Sequence, residues 1–313
     1  RISGKYLRIG GAILSEYHTP VLLNESVDAL SIKEDGIYVD ATFGGGGHSK
    51  EILSRLGKKG KLIAFDRDMD AIEAAPKDSR LILVHNNFRF VHNFIRANGF
   101  DKVDGILADL GVSSHQFDTM ERGFSFRFSA PLDMRMNNKG GKTAREVVNS
   151  YSYEDLELIF RMYGEVDNSR QVAKLICNNR ETSPIVTTDD LGRALAPVLP
   201  KLSEHKYLAK VYQALRIEVN GELLALEGFM NGSIKSLKPK GRISIITYHS
   251  LEDRMVKNYF KSGNKGGEIE RDFFGRGESP FIIINKKPIL PTEEEISANT
   301  RARSAKLRVA ERR

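Results

Sequence analysis

The most informative segment of the chain reads Ile37-Tyr38-Val39-Asp40-Ala41-Thr42-Phe43-Gly44-Gly45-Gly46-Gly47-His48. It predicts a buried strand, a glycine turn and then a helix over residues 49–56. An open α/β sheet uses this arrangement to present backbone N–H groups and a helix N-terminus to a nucleotide-like ligand. A glycine run can also be a flexible loop, but the next predicted strand ends at Asp66, about 20 residues later, where an acid reaches ribose hydroxyls. We therefore predict a nucleoside-binding site.

Apolar strands alternate with helix-length segments through the first part of the chain. Strands are predicted at residues 37–40, 62–65, 81–85 and 103–108, and helices at residues 24–30, 49–56, 69–75 and 89–98. This alternation predicts an α/β fold with a parallel, doubly wound, Rossmann-like sheet. A fifth strand is predicted at residues 243–248, and residues 281–284 and 307–310 are predicted to close the sheet as an antiparallel pair. Ligands of such sheets bind at the carboxyl ends of the strands, which here carry His48, Asp66, Phe88 and Asp109.

The alternation stops after residue 116, and no buried strand is predicted before residue 206. Ser152 and Asp155 form a capping box, and apolar residues then recur at helical spacing, so we predict a helical insertion. A long helix with apolar residues from Leu208 to Leu223 on one face leads back to the sheet. We assign residues 16–120 and 206–313 to the sheet domain and residues 121–205 to an inserted all-helical domain. Residues 1–15 are interpreted as a leader or as residues left from cloning.

The composition suits an anionic partner and a reducing compartment. The 48 lysines and arginines exceed the 41 acidic residues, which gives a net charge of +7 and a pI near 9.3. A single cysteine excludes an internal disulfide and a cysteine-rich zinc site. No apolar run approaches the ~20 residues that a membrane helix needs. We therefore predict a cytoplasmic protein without a membrane partner, and we assign no metal ligand.

Two classes of cofactor could use the glycine turn. A dinucleotide fingerprint, G-x-G-x-x-G, that starts at the first glycine requires glycine at position 49, where the chain has Ser49. S-adenosylmethionine requires an open turn, an acid for the ribose and a grip on adenine, which Asp40, the glycines, Asp66 and residues 86–88 can supply. Phe88 can instead be an ordinary core aromatic. The residues favour S-adenosylmethionine, and a nicotinamide oxidoreductase stays open as an alternative.

The motifs of the chain resemble those of the MraW/RsmH family from about residue 17 to residue 313. They include Tyr17-His18-Thr19-Pro20-Val21-Leu22-Leu23, Phe65-Asp66-Arg67-Asp68, Glu121-Arg122-Gly123-Phe124-Ser125-Phe126, Pro131-Leu132-Asp133-Met134-Arg135-Met136 and Tyr212-Gln213-Ala214-Leu215-Arg216-Ile217. Residues 40–48, 109–114, 163–165, 249–254 and 301–308 carry further matches. The resemblance implies a class I methyltransferase that transfers a methyl group from S-adenosylmethionine to the N4 amine of a decoding-site cytidine in 16S rRNA of the small ribosomal subunit.

The resemblance also implies site residues and shows departures from the family pattern. The implied cofactor contacts are Gly46, Gly47, His48, Asp66, Phe88, Asp109 and Gln116. Gly45 stands at a position that is often polar or charged in the family, and Tyr212 and Tyr248 stand where phenylalanine is common. None of the three is expected to alter the chemistry.

The chemistry of an exocyclic amine is consistent with this assignment. Methylation at carbon 5 of a pyrimidine needs a cysteine nucleophile, whereas Cys177 lies in the predicted helical insertion and suits a small buried hydrophobe. Transfer to an amine depends on in-line placement and hydrogen-bond acceptors. Asp109 is the candidate to orient the amine or the cofactor. His249 could contact substrate or relay a proton, or it could be satisfied by backbone at its strand end; Ser250 with Asp253 is interpreted as a capping box.

The predicted RNA contacts lie in and beyond the helical insertion. Residues 122–128 interleave arginine with phenylalanine, as a surface for phosphate contact and base stacking would, and we assign Arg122 and Phe124 to substrate binding. The phenylalanines could equally seat the insertion on the sheet domain. Asp133 and Arg135 are predicted to line the same cleft, and the basic residues of 301–308 could bind phosphate or protect an edge strand. 16S rRNA is the predicted partner; a homodimer and a noncatalytic RNA-binding assembly factor stay open.

Overall fold

The computed structural model of the protein describes residues 20–137 and 139–313, so the predicted leader and the first residues of the motif at 17–23 lie outside the described part. Within these ranges one sheet has seven strands: β1 (Ile37–Asp40), β2 (Lys61–Asp66), β3 (Leu81–His85), β4 (Val103–Asp109), β5 (Leu237–Thr247), β6 (Phe281–Ile283) and β7 (Lys306–Arg312). The α-helices of the same ranges are α1 (Leu23–Asp28), α2 (Gly47–Arg55), α3 (Met69–Glu73), α4 (Val91–Ala97), α5 (Ser114–Asp118), α6 (Ala144–Ser150), α7 (Tyr153–Met162), α8 (Ser169–Thr182), α9 (Thr188–Leu195), α10 (Glu204–Asn220), α11 (Glu222–Ser236), α12 (Ser250–Ser262) and α13 (Glu293–Ala298). None of these described helices combines the length and apolar character needed to cross a membrane.

The strand order is β3-β2-β1-β4-β5-β7-β6. Strand β1 pairs in parallel with β2 and β4, β2 pairs in parallel with β3, and β4 pairs in parallel with β5. Strand β7 runs antiparallel between β5 and β6. The chain reverses its direction of winding between β1 and β4, which is the point where ligands of doubly wound sheets bind. The predicted α/β class and the predicted antiparallel pair are therefore confirmed.

Alternate residues of the parallel strands face two hydrophobic layers. Val39 and Ile63 pack with residues of α4, α11 and α12 on one face, whereas Tyr38 and Leu62 pack with residues of α1 and α2 on the other. Both faces of the sheet are thus covered, which explains why these strands read as nearly continuous apolar runs. Each large side chain that is fully buried in these layers contributes about 1.5–3 kcal/mol to the hydrophobic driving force. This burial fixes the strand ends that carry the polar site residues.

A second hydrophobic core lies among the helices α6 to α10. It includes Val147 of α6, Phe160 of α7, Val172 of α8, Leu191 of α9 and Leu215 of α10. The helices have the composition for this, because each has one apolar face and several begin with capping side chains. Helix α10 contributes to this core although its residues were assigned to the sheet domain. The limits 121–205 of an inserted domain stay a prediction.

The prediction that a single long helix returns the chain to the sheet is wrong. Two helices occupy this segment, because Gly221 has a left-handed backbone (φ 59°) and separates α10 from α11. Glycine adopts this conformation without the steric cost that other residues carry, and it commonly ends helices. The side chain of Asn220 donates to the Met134 carbonyl (2.8 Å) and accepts from the Met136 amide (2.8 Å), while Arg67 Nη1 donates to the Asn220 carbonyl (3.0 Å). The break between α10 and α11 is therefore joined to the loop after β2.

Candidate active site

The glycine turn after β1 is open on one side and packed on the other. Gly44 and Gly46 have left-handed backbones (φ 52° and 76°), and Gly46 is the N-cap of α2. A Cβ atom added at Gly45 would meet nothing within 4 Å, whereas one added at Gly47 would lie 2.1 Å from Pro20 Cγ. Gly45 therefore leaves space for a ligand against the backbone, and Gly47 is required for packing against Pro20.

Asp66, at the end of β2, anchors this turn. Its Oδ2 accepts from the Gly44 amide (2.7 Å) and its Oδ1 accepts from the Asp68 amide (2.8 Å). Burial raises the pKa of the Asp66 carboxyl, and the hydrogen bonds from these amides oppose that rise. Each carboxylate oxygen keeps a second lone pair, so Asp66 can still accept from ribose hydroxyls. The open turn and this acid together fit the nucleoside part of S-adenosylmethionine.

Gln116 and Arg122 meet at Asp68 rather than in an open cleft. Gln116 Nε2 donates to Asp68 Oδ2 (2.9 Å), and Arg122 Nη1 lies 3.0 Å from the same oxygen. Arg122 Nη2 also donates to the carbonyls of Arg135 (3.1 Å) and Met136 (2.9 Å), and only 8% of the residue is exposed. These contacts favour a structural role for Arg122 over the direct RNA contact assigned from the sequence. Sequence reasoning did not select Asp68, although it stands in the quoted motif of residues 65–68.

The other predicted substrate residues divide between a core and a surface pair. Phe124 is buried in the second core, which favours a packing role among the helices over the RNA contact assigned from the sequence. Asp133 and Arg135 form a bidentate ion pair, with Arg135 Nε 2.9 Å from Oδ1 and Nη2 2.7 Å from Oδ2. Both side chains are about one-quarter exposed (24% and 22%) and remain accessible to a ligand. Phe88 packs edge-on against Phe229 with ring centroids 5.3 Å apart, which favours a core aromatic.

Asp109 is the centre of a polar cluster at the ends of β1, β4 and β5. Tyr248 Oη donates to Asp109 Oδ1 (2.6 Å), and His48 Nδ1 lies 3.8 Å from Asp109 Oδ2. Burial raises the pKa of the Asp109 carboxyl to about 6, against the lowering effect of His48 and of the Tyr248 hydrogen bond. The Asp109 side chain is 23% exposed, so it is accessible to a ligand. The structure therefore brings His48 and Asp109 together, and it adds Tyr248, which sequence reasoning regarded as neutral.

Asp40 lies behind this cluster and is fully buried. Its Oδ2 accepts from Ser49 Oγ (2.6 Å) and its Oδ1 accepts from the Thr42 amide (3.0 Å). Thr42 Oγ1 in turn accepts from the Asp109 amide (2.7 Å). Ser49, which a dinucleotide fingerprint would replace with glycine, thus holds the start of α2 to the end of β1, whereas Thr42 joins the end of β1 to β4.

His249 is the N-cap of α12, and the capping box predicted at Ser250 and Asp253 is wrong. The box is one residue earlier: the Glu252 amide donates to His249 Nδ1 (3.4 Å), and Glu252 Oε2 accepts from the His249 amide (3.4 Å). Ser250 Oγ instead donates to Glu165 Oε2 (2.7 Å). The His249 imidazole accepts from a free amide at the start of α12, a role that Ser or Asp usually takes. The prediction placed the cap one residue too late because it searched for these usual capping residues. A catalytic role of His249 stays a prediction.

In the described ranges, one group of side chains has the spacing that a metal ion needs, namely Glu222, His249 and Glu252. Both oxygens of Glu222 already accept from Arg216, through Nε (2.9 Å) and Nη2 (2.9 Å). His249 Nε2 lies 3.1 Å from Glu252 Oε1. Arg216 already neutralises the Glu222 carboxylate, so we interpret the group as an ion-pair network.

The basic segment at residues 301–308 and the single cysteine have partners inside the protein. Arg308 pairs with Asp253 (Nε to Oδ1, 2.6 Å) and Arg301 pairs with Asp118. Cys177 is partly buried against the second core, as a small hydrophobe would be. These contacts favour structural roles for Arg301, Arg308 and Cys177.

The parallel sheet, the open glycine turn and the acid after β2 define an α/β enzyme that binds a nucleoside-containing cofactor. A family model described as the MraW methylase family matches residues 15–313. "Ribosomal RNA small subunit methyltransferase H" of Phocaeicola vulgatus is 56% identical over 297 residues, covering 95% of this chain and 98% of that protein. The proteins of the same name from Flavobacterium johnsoniae and Parabacteroides distasonis are 56% and 53% identical, each over 95% of this chain and over 98% and 97% of their own lengths.

The chain belongs to the MraW methylase family. It is an S-adenosylmethionine-dependent methyltransferase with a Rossmann-like sheet, which confirms the resemblance, the fold class and the cofactor expected from the sequence. The nicotinamide alternative is thereby excluded.

Proposed function

We propose that this methyltransferase acts on the N4 exocyclic amine of a decoding-site cytidine in 16S rRNA of the small ribosomal subunit. The relatives that are 53–56% identical are named as methyltransferases of small-subunit ribosomal RNA, and the match extends over 95% of the chain. The observation that carries the proposal is the position of Asp109. A partly exposed carboxylate, fixed by a hydroxyl beside the glycine turn, suits an amine acceptor that donates hydrogen bonds.

In this proposal, one group of residues holds the cofactor and another residue orients the amine of the substrate. The turn at Gly44 to Gly46 and the Asp66 carboxylate would hold the cofactor, which supplies an activated methyl group on a sulfonium. Asp109 would accept a hydrogen bond from the amine and turn its lone pair toward that methyl group. Such placement and preorganised polarity account for much of the rate in this type of transfer. Of the residues assigned to cofactor contact, Gly47, Phe88 and Gln116 would support the site from behind, through Pro20, Phe229 and Asp68, and His48 would do so through Asp109.

The helices around the second core would receive the RNA. The target cytidine must leave its stack to reach the methyl group, which costs a few kcal/mol and is easier in a noncanonical site. Asp133 and Arg135 are the predicted substrate residues that stay accessible, and we retain them for RNA contact. We reassign Arg122 and Phe124 to positioning the loop that carries this pair, because both are buried. The cytoplasm and the assembled small subunit are the proposed location and partner, and a homodimer stays a prediction.

The proposal is tested by methyl transfer from labelled S-adenosylmethionine to small subunits that lack their decoding-site methylation, followed by nucleoside analysis. We expect label in N4-methylcytidine and none with Asp109→Ala. Label in another nucleoside would overturn the proposed substrate. Cofactor binding without any transfer, together with RNA affinity, would favour a noncatalytic assembly factor.

A further inference from the structure

Tyr248 is held rigidly between the end of β5 and the start of α12. Its amide donates to Glu252 Oε2 (2.9 Å), and its hydroxyl donates to Asp109 Oδ1 (2.6 Å). The ring packs on Gly111, where a Cβ atom would lie 3.3 Å from Tyr248 Cδ2 and where φ is +110°. The backbone amide, the ring and the hydroxyl of Tyr248 therefore each have a contact, and the hydroxyl donates to a single carboxylate oxygen.

We propose that Tyr248 is a positioning residue for methyl transfer, which fixes the Asp109 carboxylate so that Oδ2 meets the amine of the substrate. This inference rests on the proposed function. It goes beyond that function because it assigns separate tasks to the two oxygens of Asp109: Oδ1 is held by Tyr248, and Oδ2, which lies 3.8 Å from His48 Nδ1, accepts from the substrate. The sequence alone predicts that tyrosine at position 248 does not alter the chemistry. This proposal replaces that expectation.

The reacting atoms explain why the orientation of this carboxylate matters. The amine nitrogen supplies the electron pair of the new N–C bond, and the S–C bond breaks with its electrons retained by sulfur. The nitrogen then loses one proton, which goes to Asp109 Oδ2. A carboxylate that could rotate would meet the amine with either oxygen and at a range of angles, so a fixed hydroxyl partner reduces the disorder of the reacting groups.

Three other titratable groups affect the ionisation of the Asp109 carboxyl. His48 of α2 favours the ionised form of Asp109, whereas Asp40 of β1 and Glu252 of α12 disfavour it. Tyr248 itself faces Glu295 of α13 in addition. The hydrogen bond from Tyr248 lowers the pKa of Asp109 against the larger effect of burial, so its removal is expected to raise that pKa further above 6.

The variant Tyr248→Phe removes the hydroxyl and keeps the ring, and Tyr212→Phe is its matched control. Tyr212 is also buried, and its hydroxyl donates to the Thr188 carbonyl in the second core at 3.4 Å. The measurement is kcat/KM for methyl transfer to small subunits between pH 5.5 and pH 9, with cofactor affinity and melting temperature measured on the same samples. For Tyr248→Phe we expect the acidic limb of the profile to move up by roughly one pH unit. The loss is then about tenfold larger at the acid end than at the alkaline end, where only the freedom of the carboxylate to rotate lowers the rate.

The control is expected to superimpose on the unmodified protein at every pH, and Tyr248→Phe is expected to keep its cofactor affinity and melting temperature. An unchanged acidic limb in Tyr248→Phe would overturn the inference, because a merely structural role lowers the rate without moving the limb. Titration of the Asp109 carboxyl by carbon-13 NMR gives a second readout without RNA. A higher pKa in Tyr248→Phe supports the inference, and an equal pKa overturns it. If the unmodified protein transfers no methyl group to small subunits, the proposed function fails, whereas this titration still decides whether Tyr248 controls Asp109.

Discussion

Residues near the carboxyl ends of the strands fall into two sets. Those of the open set have space for a ligand beside them, and those of the closed set are filled by contacts within the protein. In the open set, Gly45 has free space beside it and the Asp109 side chain is partly exposed. Gly47, Asp68 and Arg122, the closed set, are filled by internal contacts: Pro20 against Gly47, and an ion pair between Asp68 and Arg122. Both sets contain a charged side chain and a glycine, so residue type does not separate them. Unfilled space and unshared lone pairs mark the positions available to ligands, whereas completed contacts mark structure.

The comparison predicts that Asp109 is the most sensitive residue for activity. In Asp109→Asn the side chain keeps its size and its contact with Tyr248, but it cannot take up the amine proton. We expect kcat/KM for methyl transfer to fall about 1000-fold, which corresponds to ~4 kcal/mol. The exposed carboxylate of Asp101 supplies the control, Asp101→Asn, which should retain full activity. Activity within tenfold of the unmodified protein in Asp109→Asn would remove Asp109 from the open set.

Arg122 tests the closed set through stability. Arg122→Ala leaves the Asp68 carboxylate, with 4% of its side chain exposed, without its cationic partner. Breaking a buried pair in this way costs about 3 kcal/mol of unfolding free energy, which urea denaturation measures.

The matched control for this prediction is Arg127→Ala, because Arg127 lies on the same loop and is exposed. It should leave the stability within about 0.5 kcal/mol. The folded Arg122 variant should lose stability much more than RNA affinity, because its part in RNA binding is only to position the loop of Asp133 and Arg135. Unchanged stability together with weakened RNA binding would instead restore the phosphate contact inferred from the sequence.

The two glycines of the turn give a contrast within one loop. Gly47→Ala places a methyl group 2.1 Å from Pro20 Cγ and should cost about 2 kcal/mol of stability through overpacking. Gly45→Ala meets nothing within 4 Å, so its stability should change by less than about 0.5 kcal/mol. Its methyl group projects into the open space, so titration calorimetry should show weaker binding of S-adenosylmethionine. Equal cofactor affinity in Gly45→Ala would mean that the ligand does not approach this side of the turn.

The smallest effect expected is a gain in stability. The pKa of Asp109 is raised in the fold to about 6, so the fold favours the protonated form. The stability that this provides is present below the unfolded pKa, near 4, and is lost as the pH rises through about 6. Asp109→Asn cannot ionise and should therefore be about 1 kcal/mol more stable than the unmodified protein at pH 7.5. The gain in melting temperature should disappear near pH 4; a gain of the same size at both pH values would contradict an ionisation effect.

Sequence reasoning succeeded where the signal is local. The apolar runs of the strands and the glycine turn after Asp40 are visible in a few residues, and they gave the sheet and the position of Asp109. It was least informative where the deciding partner is distant. The loop of Arg122 is rich in arginine and phenylalanine, which predicted an exposed surface for RNA. The ion-pair partner of Arg122 inside the protein is Asp68, which lies in a motif far from it in sequence.

Two other differences had signals that could have been used. Asn220-Gly221 inside the predicted long helix is a frequent helix-ending pair, and the structure places the break there. Glu252, three residues after His249, has capping-box spacing, but histidine is an uncommon cap. Tyr248 had no such signal, because its contact with Asp109 depends on the pairing of β4 with β5. Its contact could be found only from the three-dimensional arrangement.

The hydrogen bonds of Asn220 have a thermodynamic consequence. Arg67 follows Asp66, the acid that we propose binds the ribose, and through Asn220 it is connected to Met134 and Met136, beside the accessible Asp133 and Arg135 pair. If these contacts carry any coupling energy between cofactor and RNA, linkage requires that it act equally in both directions. The factor by which bound cofactor raises the affinity for RNA must equal the factor by which bound RNA raises the affinity for cofactor. An enzyme connected in this way would retain its cofactor longest on the substrate it is about to modify.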